Sequence, residues 1–430
     1  MNHEYNIVEL FSGIGSQAKA LSNLDVTVNA VGTCEWDIHA FIAYDAIHNN
    51  TSIPQEIENM TKEQILEKIK KYSLSNNGKE AMAFKTLKTY SDQVLKRIYA
   101  AIIKSNNFVD VSALSGNKLS ENIDILTYSF PCQDLSNVGA FHGYNKGIDK
   151  ESGSRSSLLW QVGRILKEMM QADKKLPRFL LMENVPTLLS ERHKNNFETW
   201  ISELANLGYY SKYFLLNAKD FGLPQNRPRL LMISAYTGND TELSEFVTNY
   251  LRNKTPDNVV QEFKKSDYYN PLETKDLLRI DYSDNKLKSE AIECTPNDTV
   301  SRREIWEENP QLVLEGNKIN EQYPFIRTIT TKQDRNPNSG NLYFDSGIEG
   351  KSKFRYLTPR ECFLFMGFTD EDFDNVIEKN PEIHKNSKLF PRDKLIRMAG
   401  NSIPVKLLEG IFYQVIKLDD AMEKFCNGRS

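Results

Sequence analysis

The chain has 430 residues, 54 of them Lys or Arg and 58 Asp or Glu, for a net charge of -4, with 40% hydrophobic residues and five cysteines. That length exceeds one domain of roughly 100–200 residues and buries a core without disulfide or metal support. No apolar run approaches the roughly 20 residues that span a bilayer. The first residues lack a basic and apolar leader, and the few cysteines, odd in number, point to a reducing, cytoplasmic setting. Secreted mini-protein, membrane protein and disordered chain are excluded. The acidic balance argues mildly against a nucleic-acid partner.

In chain order, residues 7–11, 123–128, 179–182 and 230–233 are short apolar runs bounded by polar or Gly/Pro residues, so they are predicted buried strands. Helical patterns lie between them, among them 157–170 with its apolar stripe. Strands alternating with helices predict an α/β domain around a mostly parallel sheet. Residues 61–104 read as a helical stretch with ten basic and four acidic residues, an excess of six positive charges. Residues 239–350 are polar, with scattered Pro, Asn and Asp, and read as a second, irregular domain. Helical periodicity returns after 354, and 405–416 is predicted to be a closing amphipathic helix.

The first strand runs into Phe11-Ser12-Gly13-Ile14-Gly15, where two glycines allow a sharp turn and close approach to a ligand. A second strand near 30–33 ends in Glu35-Trp36-Asp37. Glu35 stands 20 residues after Gly15, the offset of an acid that holds a ribose hydroxyl pair. Trp36 offers a flat face to a base. The strand 123–128 ends in Pro131-Cys132-Gln133, which puts a thiol where open α/β sheets bind ligands. The strand 179–182 ends in Glu183-Asn184-Val185. If buried, Glu183 would be pushed toward a neutral, hydrogen-bond-donating acid. Gln225-Asn226-Arg227-Pro228-Arg229 sets two arginines one residue apart. In an extended segment both would face one ligand.

Together these motifs resemble the DNA (cytosine-5)-methyltransferase family of bacteria. Phe11 to Gly15, Glu35-Trp36, Val109-Asp110-Val111, Pro131-Cys132-Gln133, Arg155-Ser156-Ser157-Leu158, Glu183-Asn184-Val185 and Gln225-x-Arg227-x-Arg229 stand in the family's order. Arg355 to Cys362 and Gly400-Asn401-Ser402-Ile403-Pro404-Val405 follow as its last two motifs. Ser12 stands where many members have Ala, and 61–104 lengthens the gap between the second and third motifs. A similar basic insertion occurs in a subgroup that includes CpG-modifying enzymes. The recognition stretch differs from theirs, so no target sequence is carried over.

The resemblance implies a Rossmann-like S-adenosylmethionine methyltransferase domain with an inserted, smaller target-recognition domain. The division would be 1–238 catalytic, with the basic insertion at 50–107, then 239–353 for recognition and 354–430 returning to the catalytic domain. It implies methyl transfer to carbon 5 of a flipped-out cytosine in a short duplex DNA sequence, through a covalent adduct of Cys132 with carbon 6. Glu183 would hold ring nitrogen N3, Arg229 the base carbonyl, and Arg227 the site or a phosphate. The cofactor would meet Phe11, Ser12, Gly13, Ile14, Gly15, Glu35, Trp36, Asp37, Asp110, Val111, Pro131, Leu158, Asn401 and Ser402. DNA would meet Gln133, Ser136, Arg155, Thr328, Thr330, Lys332, Gln333 and Arg335. No metal, membrane or obligate protein partner is expected. The protein would act as an orphan methylase or beside a restriction endonuclease that cuts the same site. Three alternatives stand at this point: a methyltransferase acting on transfer RNA, a non-catalytic DNA-binding relative, and a nicotinamide-dependent oxidoreductase.

Overall fold

The computed structural model describes residues 3–50, 52–131, 158–334, 337–384 and 387–429. The chain forms two compact units, Met1–Leu216 with Pro228–Tyr268 and Leu408–Ser430, and Asn217–Arg227 with Tyr269–Leu407.

The first unit is built on β1 (Glu4–Leu10), β2 (Thr27–Cys34), β3 (Ile125–Tyr128), β4 (Phe179–Asn184), β5 (Tyr209–Asn217) and, after the dipeptide strand β6 (Gln225–Asn226), β7 (Pro228–Tyr236). The sheet order is β2-β1-β3-β4-β7-β5. β1 pairs parallel with β2 and β3, and β3 with β4, while β4 and β7 are antiparallel. β3 and β4 are buried at every residue, as expected of central strands covered on both faces. The sequence reading missed β5. Its Ser211-Lys212 step breaks the apolar run, and burial holds mainly at Tyr209, Phe214 and Leu216.

The helix Leu159–Gln171 buries Leu159, Val162, Ile165, Leu166 and Met169 against Trp200 and Phe197 of the helix Glu191–Asn206. Trp200 Nε1 donates to the Tyr128 hydroxyl at 3.1 Å, so the largest core side chain keeps its one polar atom satisfied. Along the N-terminal half run α1 (Ser16–Ser22), α2 (Ile38–His48), α3 (Gln55–Glu58), α4 (Lys62–Ile69), α5 (Phe84–Leu87) and α6 (Asp92–Lys104). The basic insertion is therefore helical. A capping box of Thr61 and Gln64 starts α4, and Ser91 caps α6. The apolar faces, Ile65 and Ile69 on α4 and Val94, Leu95 and Ile98 on α6, are buried, and Lys68, Lys71, Lys85 and Lys88 face solvent.

The expected irregular stretch begins with two regular helices, Thr241–Arg252 and Pro256–Lys264, and both lie in the first unit. Their charge hid a narrow apolar stripe of Val247, Leu251, Val259 and Phe263. The C-terminal helix Val405–Asn427 reaches the first strand, where the Tyr5 hydroxyl donates to Asp419 Oδ2 at 3.0 Å.

The second unit holds a four-stranded sheet in the order β12-β11-β8-β9, formed by β8 (Gln311–Leu314), β9 (Lys318–Ile319), β11 (Asn341–Tyr343) and β12 (Phe354–Tyr356). β10 (Ile326–Arg327) pairs instead with β6. Residues 354–407 group with this unit and not with the large sheet. The penultimate motif packs inside it. Arg355 and Glu361 are fully buried and joined by two parallel bonds of 2.7 and 2.8 Å, a bidentate pair that satisfies both charges.

Candidate functional site

The loop after β1 and the turn after β2 meet directly. Gly13 N donates to Glu35 Oε2 at 3.1 Å, and Asp37 N donates to Oε1 at 2.8 Å. Gly15 has φ +84°, and a Cβ there would sit 2.1 Å from His48 Nε2, so only glycine fits. Phe11 and Val109 hold positive φ of 60° and 68°, which for a β-branched residue such as Val109 is a strained conformation of the kind that gathers at ligand sites. Asp37 caps α2 through His39 N at 3.1 Å. Asp110 accepts Ser112 N at 2.9 Å, and Val111 is buried. Trp36, Leu158 and Pro131 are each partly exposed.

The chemistry of this corner suits a nucleoside cofactor. Ser12 Oγ is buried without a hydrogen-bond partner among the described residues. A Cβ on Gly13 would meet open space. Burial, then the neighbouring Asp37, push the Glu35 carboxyl up to about 7 against the opposing N–H donors. Beneath the loop, Glu9 accepts Ala18 N at 3.2 Å and the Tyr44 hydroxyl at 2.6 Å. Burial also pushes it up to about 7. A folded value above the unfolded one of about 4.3 means that the stability from Glu9 is full below pH 4 and is lost as pH rises through 7. Glu9→Gln keeps its amide oxygen as acceptor for Ala18 N and turns its NH2 toward the Tyr44 oxygen, which can accept once its hydroxyl rotates. It should therefore raise stability at pH 8 by up to about 3 kcal/mol and change little at pH 4, as read by urea unfolding at the two pH values.

The second corner lies at the ends of β3 and β4. The parallel register pairs Tyr128 with Met182, which brings Ser129 and Phe130 beside Glu183 and Asn184. Glu183 is 7% exposed. Its Oε1 takes Arg229 Nε at 2.9 Å and its Oε2 takes Ser129 Oγ at 2.5 Å. Asn184 Nδ2 donates to Phe130 O at 3.1 Å, which fixes the backbone two residues before Cys132. Cys132, Gln133, Ser136 and Arg155 lie outside the described residues. Ser129 and Asn184 were missed as functional positions, although setting the two strand ends in register exposes them.

The two arginines do not converge as expected. Arg229 pairs with Glu183, whereas Arg227 is 2% exposed and donates to the carbonyls of Ile329, Gly400 and Ser402 at 2.7–2.9 Å. Arg227 is thus a fastener of the second unit and is not open to a ligand. At roughly 1.5–3 kcal/mol per charged hydrogen bond, Arg227→Ala should cost that unit at least about 3 kcal/mol, measured by urea unfolding followed at Trp306. Arg227 also fixes the backbone around Asn401, which is exposed, and Ser402, whose hydroxyl donates to Met398 O at 2.8 Å. Gly400 is required there because a Cβ would lie 2.5 Å from Thr330 backbone.

Of the residues expected to meet DNA, Lys332 is exposed. Thr328 and Thr330 are partly exposed, and their hydroxyls donate to Asn226 O at 2.7 Å and Lys332 O at 2.8 Å. Gln333 is turned inward, 1% exposed, and its Oε1 accepts the Ser339 hydroxyl at 2.6 Å, so it does not offer a base-reading edge. Arg335 lies outside the described residues. Arg327, which the reading passed over, is exposed on β10.

The C-5 cytosine-specific DNA methylase family matches residues 71–417. The orphan methyltransferase M.SssI of Spiroplasma monobiae is 33% identical over 413 residues, 95% of this chain and 96% of its own. The type II methyltransferase M2.ScrFI of Lactococcus lactis subsp. cremoris is 30% identical over 419 residues, 96% and 99% of the two chains. The solved Dnmt2 methyltransferase of S. pombe shares the fold, with a TM-score of 0.56 at 15% identity over 96% of this chain and 98% of that one. The ordered motifs, the Rossmann-like sheet and these matches together make the chain a DNA (cytosine-5)-methyltransferase of the C-5 cytosine-specific DNA methylase family.

Proposed function

We propose that the enzyme methylates carbon 5 of a flipped-out cytosine within one short duplex DNA sequence, by way of a covalent bond between Cys132 and carbon 6. The observation that carries this reading is the Glu183 carboxyl group at the end of β4, held by Arg229 of β7 and by Ser129 on the segment that leads from β3 to the Pro-Cys-Gln turn. Carbon 5 is a poor nucleophile in the aromatic ring. Attack of the Cys132 thiolate on carbon 6 turns it into an enamine-like carbon. N3 is an acceptor, so Glu183 meets it as the protonated acid and donates to it as charge develops there, and Arg229 orients Glu183 and the base carbonyl. When bound, S-adenosylmethionine supplies the electrophilic methyl group. A base then takes the carbon 5 proton and the bond to Cys132 breaks, which restores the ring and the thiolate.

Glu35 holds the ribose hydroxyls of the cofactor, Ser12 and Gly13 line its loop, and Trp36 and Asp110 flank its base. The carboxylate form of Glu35 is the acceptor. Affinity for S-adenosylmethionine should therefore be constant above pH 8 and fall by up to about tenfold per unit as pH drops below 7. Calorimetry across pH 5.5–8.5 checks this, and a flat profile would sink the role given to Glu35. Arg327, Lys332, Thr328 and Thr330 are our candidates for DNA contact. Extrusion of the base costs a few kcal/mol and falls to the segment after Cys132 and to the second unit.

Among the described residues no helix is long and apolar enough to cross a membrane, and Cys34, Cys294, Cys362 and Cys426 are free. We place the enzyme in the cytoplasm, where Cys132 stays reduced. Its relatives carry both orphan and type II names. Accordingly we assign it to modification of its own host DNA, alone or beside a restriction endonuclease. Transfer of labelled methyl from S-adenosylmethionine to duplex DNA and to transfer RNA, measured in parallel, tests the substrate. Incorporation into DNA is expected, and incorporation into RNA alone would overturn it.

A further inference from the structure

The basic insertion carries a second feature besides its lysines: its C-terminal end and the loop after α4 both close onto the turn that bears Glu35. At the C-terminal end, α6 finishes at Lys104 and the chain doubles back, with Asn107 N donating to Ile102 O at 2.8 Å. This sets residues 105–108 alongside the outer edge of β2. Phe108 N donates to Thr33 O at 2.9 Å, and Thr33 Oγ1 to Ser105 O at 3.1 Å. The Asn107 side chain, 4% exposed, then spans two segments of the cofactor corner. Its Oδ1 accepts Glu35 N at 3.0 Å and Val109 N at 2.9 Å, and its Nδ2 donates to Glu35 O at 2.9 Å.

Midway along the insertion, the loop after α4 also bonds to this turn. Ser75 N donates to Trp36 O at 2.8 Å, and Ile38 N donates to Ser75 O at 2.9 Å. Ser75 is fully buried, and its hydroxyl, which accepts Gly78 N at 3.0 Å and donates to Glu80 O at 2.7 Å, shapes that loop. Glu35 N, Glu35 O, Trp36 O and Ile38 N are therefore satisfied by the insertion. The strained Val109, next to Asp110, is held by the same amide that holds Glu35. A buried amide with three satisfied bonds fixes its neighbours because leaving any of them unpaired is costly.

We propose that the 50–107 insertion is a working part of the cofactor site, in which Asn107, with Ser75 opposite, is the positioning residue that holds the Glu35 turn and the Val109–Asp110 segment in one geometry. This rests on the reading of Glu35 as the ribose-binding acid. Asn107 touches no cofactor atom and acts through Glu35 and the Val109–Asp110 segment. Its loss should thus be felt as cofactor affinity and not as DNA affinity.

The test is a double-mutant cycle on the full-length protein, read by calorimetry with S-adenosylmethionine. Asn107→Ala should weaken binding at least tenfold, with KM for DNA unchanged, and Glu35→Ala should weaken it more. The double variant should lose less than the product of the two single losses, because part of what Asn107 does runs through the group already removed. Losses that multiply in the double variant, or unchanged affinity in Asn107→Ala, overturn the inference. If Asn107→Ala does not fold, Asn107→Asp carries the test. It keeps the acceptor for both N–H groups, sets a charged acceptor in place of the donor to Glu35 O, and should weaken binding at least threefold, with a smaller effect in the Glu35→Ala background. A wild-type protein that binds no S-adenosylmethionine would overturn the cofactor reading and this inference together, whereas a binding wild type with an unaffected Asn107→Ala overturns this inference alone.

Discussion

Cys132→Ala should abolish methyl transfer, by on the order of 10⁴-fold or more as for other enzymes that lose their nucleophile, and leave S-adenosylmethionine affinity within about twofold. The backbone leading to that position is held independently of the thiol, through Asn184 to Phe130 O and Ser129 to Glu183. The cofactor corner built on Gly13 and Glu35 is joined by bonds among its own residues. An alanine therefore removes the nucleophile and leaves these contacts in place. A free thiol near pKa 8.5 is only a few per cent thiolate at pH 7. Calorimetry and single-turnover methylation on the same preparation separate binding from chemistry. Retained turnover in Cys132→Ala would remove the covalent step from the mechanism.

Glu183→Gln should lower kcat by roughly 10²–10³-fold, the usual loss for a group placed where charge develops, with KM for the cofactor unchanged. The side chain keeps its volume and its contact with Ser129. Arg229, however, with only 12% of its side chain exposed, loses its carboxylate. Removing one partner of a buried pair costs up to roughly 3–5 kcal/mol, so stability must be followed as well. Replacing both partners separates the two effects. Glu183→Gln with Arg229→Met leaves no unpaired charge and should recover most of the stability while remaining inactive. Activity that returns along with stability would mean that Glu183 serves the fold and not the reaction.

The parts of the fold legible in the sequence are those whose neighbours are uniform. β3 and β4 are buried along their whole length, so an apolar run is enough to find them. β5 is half exposed and carries Ser211 and Lys212, so its pattern depends on a neighbour that the sequence does not reveal. The arginine pair shows the same limit. Period-two reasoning assumes one continuous strand, but β6 ends at Asn226 and β7 begins at Pro228, so the chain breaks at Arg227 and the two side chains part. Gln333 looked like a base reader by composition, and its contact with Ser339 turned it inward. Glu35 and the glycine loop were legible because their offset reflects a local βαβ unit. Ser129 and Asn107 were not, because their partners stand 54 and 72 residues away.

Charge followed the same logic. The whole-chain value of -4 concealed an excess of six positive charges in residues 61–104 and of four in residues 325–360, where seven basic residues face three acidic ones. Binding to a polyanion is governed by such local surfaces and not by the total.

The measurement that tests the central claim most directly is a map of 5-methylcytosine in the DNA of a host without cytosine methylation, made after expression of the wild-type enzyme and of Cys132→Ala. The account predicts 5-methylcytosine confined to one short duplex sequence with the wild type, and none with the variant. DNA free of 5-methylcytosine despite soluble wild-type protein, or equal methylation by the variant, would contradict it.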